Sequence, residues 1–69
     1  MNKIKIKVNG EDISISSNLT LSNLLLERKL SENNIAIELN GEVISKDLWA
    51  KKIIKEDDSI EIITAIGGG

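Results

Sequence analysis

The sequence predicts an α+β domain of one sheet and one helix, on three observations. Apolar and polar residues alternate with a period of two in residues 3–8, 12–16 and 35–39; the period lengthens to that of a helix after Asn18; and Asn-Gly pairs stand at 9–10 and 40–41, each between two such runs. A chain of 69 residues holds one domain, and at this size folding removes only about 60% of the unfolded chain's surface from water. With Trp49 as the single aromatic residue, the core has to be built from Ile, Leu and Val packed on a sheet.

The first run, Lys3-Ile4-Lys5-Ile6-Lys7-Val8, places Ile4, Ile6 and Val8 on one face and three lysines on the other, the pattern of a half-buried strand. Asn9-Gly10 suits the two positive φ values of a type I′ turn, so residues 12–16 should pair back as a hairpin with Ile13 and Ile15 inward. Leu21, Leu24 and Leu25 then fall at i, i+3 and i+4, which predicts a helix over 21–29 with Thr20 as N-cap, Arg28 and Lys29 in its last turn, and Leu26 widening the buried face. Ile35, Ile37 and Leu39 point inward from a third strand, and Asn40-Gly41 turns the chain into a short fourth at 42–44. Residues 45–52 carry Leu48, Trp49 and Ala50 among polar neighbours, which suits a short helical turn over the end of the core, with Trp49 as lid and Ile53 and Ile54 fastening it. Residues 55–58 form a polar turn, and 59–66 a last strand with Ile60 and Ile62 inward, running into Gly67-Gly68-Gly69.

Composition narrows the function classes. A formal charge of -2 and the near absence of aromatics argue against nucleic-acid binding, which needs a basic surface and stacking platforms. No His and no Cys leave the chain without the common general bases, nucleophiles and metal ligands, so the seven or so serines have nothing to activate them and an enzyme is not expected. Glu56-Asp57-Asp58 reads as a solvated turn in preference to a cation site, and no metal is expected. The lysine row of the first strand is better read as a solvated, aggregation-resistant face than as a docking site. No apolar run approaches the ~20 residues that cross a bilayer, and the charged N-terminus is unlike an export signal, so the expected location is the cytoplasm.

Chemistry is expected at the C-terminus. If the third and last strands are neighbours, Ile63 and Ala65 lie on the outer face beside Ala36 as an exposed apolar patch of the kind that marks interfaces. Three glycines and a carboxylate follow directly. Lacking Cβ, such a tail can lie extended in a channel too narrow for side chains and bring its tip to a partner's active site. A carboxylate is a poor electrophile, and an ATP-derived acyl-adenylate would supply the leaving group that lets a sulfur nucleophile produce a thiocarboxylate. A frayed end is the plainer reading of three glycines alone, but here they join a strand with no spacer.

The segment Ile35-Ala36-Ile37-Glu38-Leu39-Asn40-Gly41-Glu42-Val43-Ile44, then Trp49, then Asp58-Ser59-Ile60-Glu61-Ile62-Ile63 and the ending Ala65-Ile66-Gly67-Gly68-Gly69 together resemble the ThiS family, the sulfur carrier proteins of thiamine (thiazole) biosynthesis, over essentially the whole chain. Departures are small: Asp57 stands where the family often has Gly, and Lys46 near where it tends to have Arg. The resemblance implies a ubiquitin-like β-grasp, a mixed sheet of four to five strands wrapped around one helix, with residues 1–66 as the domain and 67–69 as a flexible tail. It implies that Gly69 is adenylated by a ThiF-type E1-like adenylyltransferase, that a persulfide from a cysteine desulfurase system supplies sulfur, and that thiazole synthase consumes the thiocarboxylate. ATP and Mg²⁺ would bind the activating partner, leaving no cofactor on this chain. Gly67 and Gly68 would thread the partner's channel, while Ile63, Ala65 and Ile66 would dock a carrier that is a monomer when alone.

Three other readings share parts of this pattern. A MoaD-type carrier for molybdopterin synthesis has the same fold and tail, but the Asn-Gly-Glu-Val-Ile segment followed by Trp49 and an ending without Pro favour the thiamine branch. A ubiquitin-like protein modifier would join Gly69 to a target lysine, and a noncovalent binding module would not need the terminal glycines at all.

Overall fold

A computed structural model describes residues 2–64. Among them the chain forms β1 (Lys3–Val8), β2 (Glu11–Ser16), α1 (Leu21–Glu27), β3 (Ile35–Leu39), β4 (Glu42–Ile44), a 3₁₀ turn (Lys46–Leu48) and β5 (Ser59–Thr64). The five strands make one sheet in the order β2-β1-β5-β3-β4. The β1–β2, β3–β4 and β3–β5 pairs are antiparallel and β1–β5 is parallel, so the sheet is mixed and the helix crosses one face of it. This is the expected β-grasp, and it places the last strand at the centre.

Both Asn-Gly pairs turn as their sequence requires. Asn9 and Gly10 have φ of 51° and 86°, and Asn40 and Gly41 have 52° and 86°, the doubly left-handed backbone of a type I′ turn. The β1–β2 register, Ile4 opposite Ile15 and Ile6 opposite Ile13, puts the isoleucines of both strands on the helix side.

The helix begins where expected. Thr20 caps it in a reciprocal box: its hydroxyl accepts from the Asn23 N–H at 3.1 Å, and the Asn23 carbonyl oxygen accepts from the Thr20 N–H at 3.1 Å. It ends earlier than the expected residue 29. Arg28 is the C-cap, and Lys29 takes φ of 59°, so its N–H bonds the Leu26 carbonyl while the Leu30 N–H bonds the Leu25 carbonyl. Those two bonds are a Schellman ending with lysine at the position glycine usually takes. Arg28 and Lys29 therefore lie beyond the last turn. Leu26, expected to widen the buried face, is 72% exposed, because the stripe of Leu21, Leu24 and Leu25 already fills the space above the narrow sheet.

Those three leucines pack with Ile6, Val8, Ile15, Ile37, Leu39, Trp49, Ile54 and Ile60 into the core. Trp49 is the expected lid: it is 2% exposed and its Nε1–H donates to the Ile44 carbonyl at 2.9 Å, which satisfies the one polar atom that burial would strand. The expected pair of fasteners divides, Ile54 being buried and Ile53 exposed. Leu48 and Ala50 also face solvent.

Truncating Trp49 to alanine should cost about 3–5 kcal/mol, close to the whole stability of a domain this small. Lys29→Gly should instead stabilise by about 0.5–1 kcal/mol, by relieving the left-handed strain. Urea unfolding followed by circular dichroism measures both.

Candidate functional site

The site grows from the way β5 is held. Its first residue is locked to β3 by Asn40: the Asn40 N–H donates to the Ser59 carbonyl at 2.7 Å, the Ser59 N–H donates to Asn40 Oδ1 at 2.9 Å, and Asn40 Nδ2 donates to Asp58 Oδ1 at 3.0 Å. On the other flank, Asn9 donates its N–H to the Ile60 carbonyl at 2.8 Å and accepts the Ile62 N–H on its Oδ1, also at 2.8 Å. The asparagines of both turns thus pin the same strand from opposite sides, a role that sequence reading did not assign them. Residues 55–58 complete the fastening. Asp58 Oδ2 accepts from the Lys55 N–H at 2.8 Å, Glu56 Oε2 accepts from the Lys5 N–H at 3.2 Å, and Asp57 holds φ of 69°. Carboxylates spent on backbone donors fit the reading of a turn, and no cluster of metal-ligating side chains occurs among the described residues. Asp57 sits at the left-handed position where the resembled family often has Gly, a conformation aspartate tolerates.

Beyond this fastening β5 presents its outer face. Ala36 pairs with Ile63, so the two strands are neighbours as expected: both residues are exposed, and with Asn34 and Ile35 they line a shallow apolar depression of about 290 Å³, the described part of the expected patch. The depression lies near the end of the described part of β5. Register adds residues that alternation alone did not select. Glu38 lies opposite Glu61, and Val43 opposite Glu38, so two carboxylates and a 66% exposed valine share the face with Ile63. Like charges directly opposite one another weaken a sheet, so Glu38 and Glu61 work against the β3–β5 pairing. The third β1 lysine is tied locally, Lys7 Nζ meeting Asp12 Oδ1 at 3.0 Å across the hairpin, while Lys3 and Lys5 are exposed, as expected of a solvated face. Ala65, Ile66, Gly67, Gly68 and Gly69 lie outside the described residues. So Ile63 is the described member of the expected docking set.

No helix among the described residues is long and apolar enough to cross a membrane.

A mixed five-stranded sheet around one helix, with the last strand central and directed into a glycine tail, defines a small ubiquitin-like protein of the carrier class. The ThiS family model matches residues 2–69, and the chain belongs to the ThiS family. The crystal structure of thiamine biosynthesis protein ThiS from Geobacter metallireducens superposes with a TM-score of 0.83, at 28% identity, covering 96% of this chain and all of that one. Sulfur carrier protein ThiS of Bacillus subtilis is 29% identical over 65 residues, 93% of this chain and 98% of that protein. A thiazole synthase of Paramagnetospirillum magneticum is 33% identical over 66 residues, which are 96% of this chain but 20% of the synthase. The chain thus spans about a fifth of the length of that relative.

Asn9→Gly keeps the turn's positive φ but removes the acceptor for the Ile62 N–H. It should destabilise the domain by about 1 kcal/mol and speed amide exchange at Ile62 by about fivefold, which NMR-detected hydrogen exchange would show.

Proposed function

We propose that this chain is a sulfur carrier for thiazole formation in thiamine biosynthesis, with the Gly69 carboxylate as the group that carries sulfur. The observation that supports this best is the family match, which runs through Gly69. The carboxylate attacks the α-phosphorus of ATP in a ThiF-type adenylyltransferase, releasing pyrophosphate and forming an acyl-adenylate. A persulfide from a cysteine desulfurase system then attacks the carbonyl with AMP as leaving group. A second thiol resolves the resulting acyl disulfide, taking the persulfide's other sulfur into a new disulfide and leaving the thiocarboxylate. Every catalytic group in this sequence belongs to the partners; the chain is a co-substrate.

The absence of His and Cys from the sequence fits that division of labour. Thiazole synthase is the consumer that the comparisons favour over a molybdopterin enzyme, because the thiazole synthase of Paramagnetospirillum magneticum carries a segment similar to this chain within its own polypeptide. Docking falls to Ile63 together with Ala65 and Ile66, and Gly67 and Gly68 thread the channel, where a Cβ would jam.

Intact mass spectrometry after incubation with ATP, a ThiF-type enzyme and a sulfur donor should show one oxygen replaced by sulfur, located at Gly69. An unchanged mass with a demonstrably active enzyme would overturn the reading. Removing Gly69 should abolish the conversion and leave the cooperative melt intact. Ile63→Glu, at a 48% exposed position, should leave the melt within about 0.5 kcal/mol but raise the KM for the carrier about tenfold.

A further inference from the structure

Past Ile60, β5 keeps β3 as a neighbour but loses β1, which ends at Val8. Register shows which backbone groups this exposes. In an antiparallel ladder alternate residues direct their N–H and C=O to the same side. The Asn40–Ser59 bond sends the groups of Ser59, Glu61 and Ile63 toward β3, so those of Ile60, Ile62 and Thr64 point to the side that β1 has vacated. Asn9 takes up the Ile60 carbonyl and the Ile62 N–H. Next in line are the Ile62 carbonyl and the Thr64 N–H, which make no hydrogen bond on that side to a described residue. They border a groove of about 590 Å³ between the β1–β2 turn and the end of the helix, lined by Asn9, Glu27, Arg28, Leu30, Ile62 and Thr64.

We propose that this groove receives an extended segment of the enzyme that activates the tail, added as a short strand on the open side of β5 and bonded to the Ile62 carbonyl and the Thr64 N–H. The proposal rests on the carrier reading and deepens it by naming how the carrier is gripped. Strand addition uses the two groups on offer, a carbonyl and an N–H two residues apart, with Leu30 and Ile62 as apolar floor for an alternate side chain. The outer edges of β2 and β4 are also open, but they lie at the rims of the sheet, away from the tail. A segment on the open side of β5 would end next to Thr64, so the carrier would be gripped five positions in sequence from Gly69. A second copy of the chain does not fit the notch. Two ladder bonds between a turn and a helix end fall far short of the ~1,000 Å² a stable dimer buries. An enzyme that also covers Ile63, Ala36 and Val43 on the adjoining face supplies the missing area.

The test replaces one atom. Semisynthesis with an ester in place of the Thr64 amide removes the N–H and keeps the side chain; Thr64→Pro removes the same N–H recombinantly, at the cost of the threonine side chain. Because that N–H makes no bond within the described fold, both variants should still melt cooperatively, the ester slightly below the parent chain because its Ile63 carbonyl is a weaker acceptor toward β3. With the ThiF-type enzyme and ATP, pyrophosphate release should show a KM raised about tenfold for the ester, and hydrogen exchange of the unmodified carrier should show the Thr64 amide protected only in the complex. An ester carrier adenylated as efficiently as the parent, or a Thr64 amide that stays unprotected in the complex, overturns strand addition while leaving the carrier reading standing. Failure of the parent chain itself to be adenylated by an active enzyme removes both. A dimer of the chain alone, seen in sedimentation and dissolved by the ester, would assign the groove to a second copy and overturn the proposal.

Discussion

The two-sided pinning of β5 is the constraint on which the rest of the molecule depends. The last strand must slot between β1, laid down at the start of the chain, and β3, laid down in the middle, and its pairing is parallel on one side and antiparallel on the other. A one-residue slip would turn Ile60 out of the core and Glu61 into it. Two asparagines prevent this. Asn9 and Asn40 each occupy the first position of a type I′ turn, where a positive φ is needed, and each also spends its side-chain carbonyl on a β5 amide, Ile62 in one case and Ser59 in the other. Local turn chemistry and long-range register are therefore set by the same two residues, and glycine in either place would meet only the first requirement.

The core has little chemistry of its own, and that follows from its composition. With no buried polar or charged side chain among the described residues other than the Trp49 indole, whose N–H is satisfied, the interior consists of branched aliphatic groups held at near-zero exposure by one seven-residue helix. So short a helix would not stand alone in water. It survives because Thr20 and Asn23 close its first turn, the Schellman bonds at Lys29 and Leu30 close its last, and three of its seven residues are buried on the sheet.

Much of this could be read from residue order. The alternating runs, the Asn-Gly turns, the Thr20 cap, the Trp49 lid and the Ala36–Ile63 neighbourhood all follow from local periodicity plus the assumption that the third and last strands touch. The errors share a cause. Local pattern extends the helix to residue 29 and buries Leu26, whereas in the fold Leu21, Leu24 and Leu25 make the buried stripe and the chain reverses at Lys29. Val43, Glu38 and Glu61 joined the site only through register, which no single strand encodes. The side-chain bonds of Asn9 and Asn40 span 53 and 19 residues, and nothing within either turn announces them.

Under the proposed function, a carrier whose tip enters another protein's active site would face opposed demands. The tip has to conform to a channel, so ordering it on binding costs about 1–2 kcal/mol for each residue fixed, and more for glycine. That cost grows with every residue that must be ordered between the domain and the reacting carbon. Placing the tail directly after the central strand would keep the number small: Thr64 still belongs to β5, and four residues separate it from Gly69. A tail leaving from a rim strand would begin from a part of the sheet with one neighbour instead of two, and its origin would be less fixed. On that reading, the central position of β5 would shorten the stretch a partner has to order, and the exposed Ile63 face would offer a surface against which the partner could gain the binding free energy that offsets the ordering.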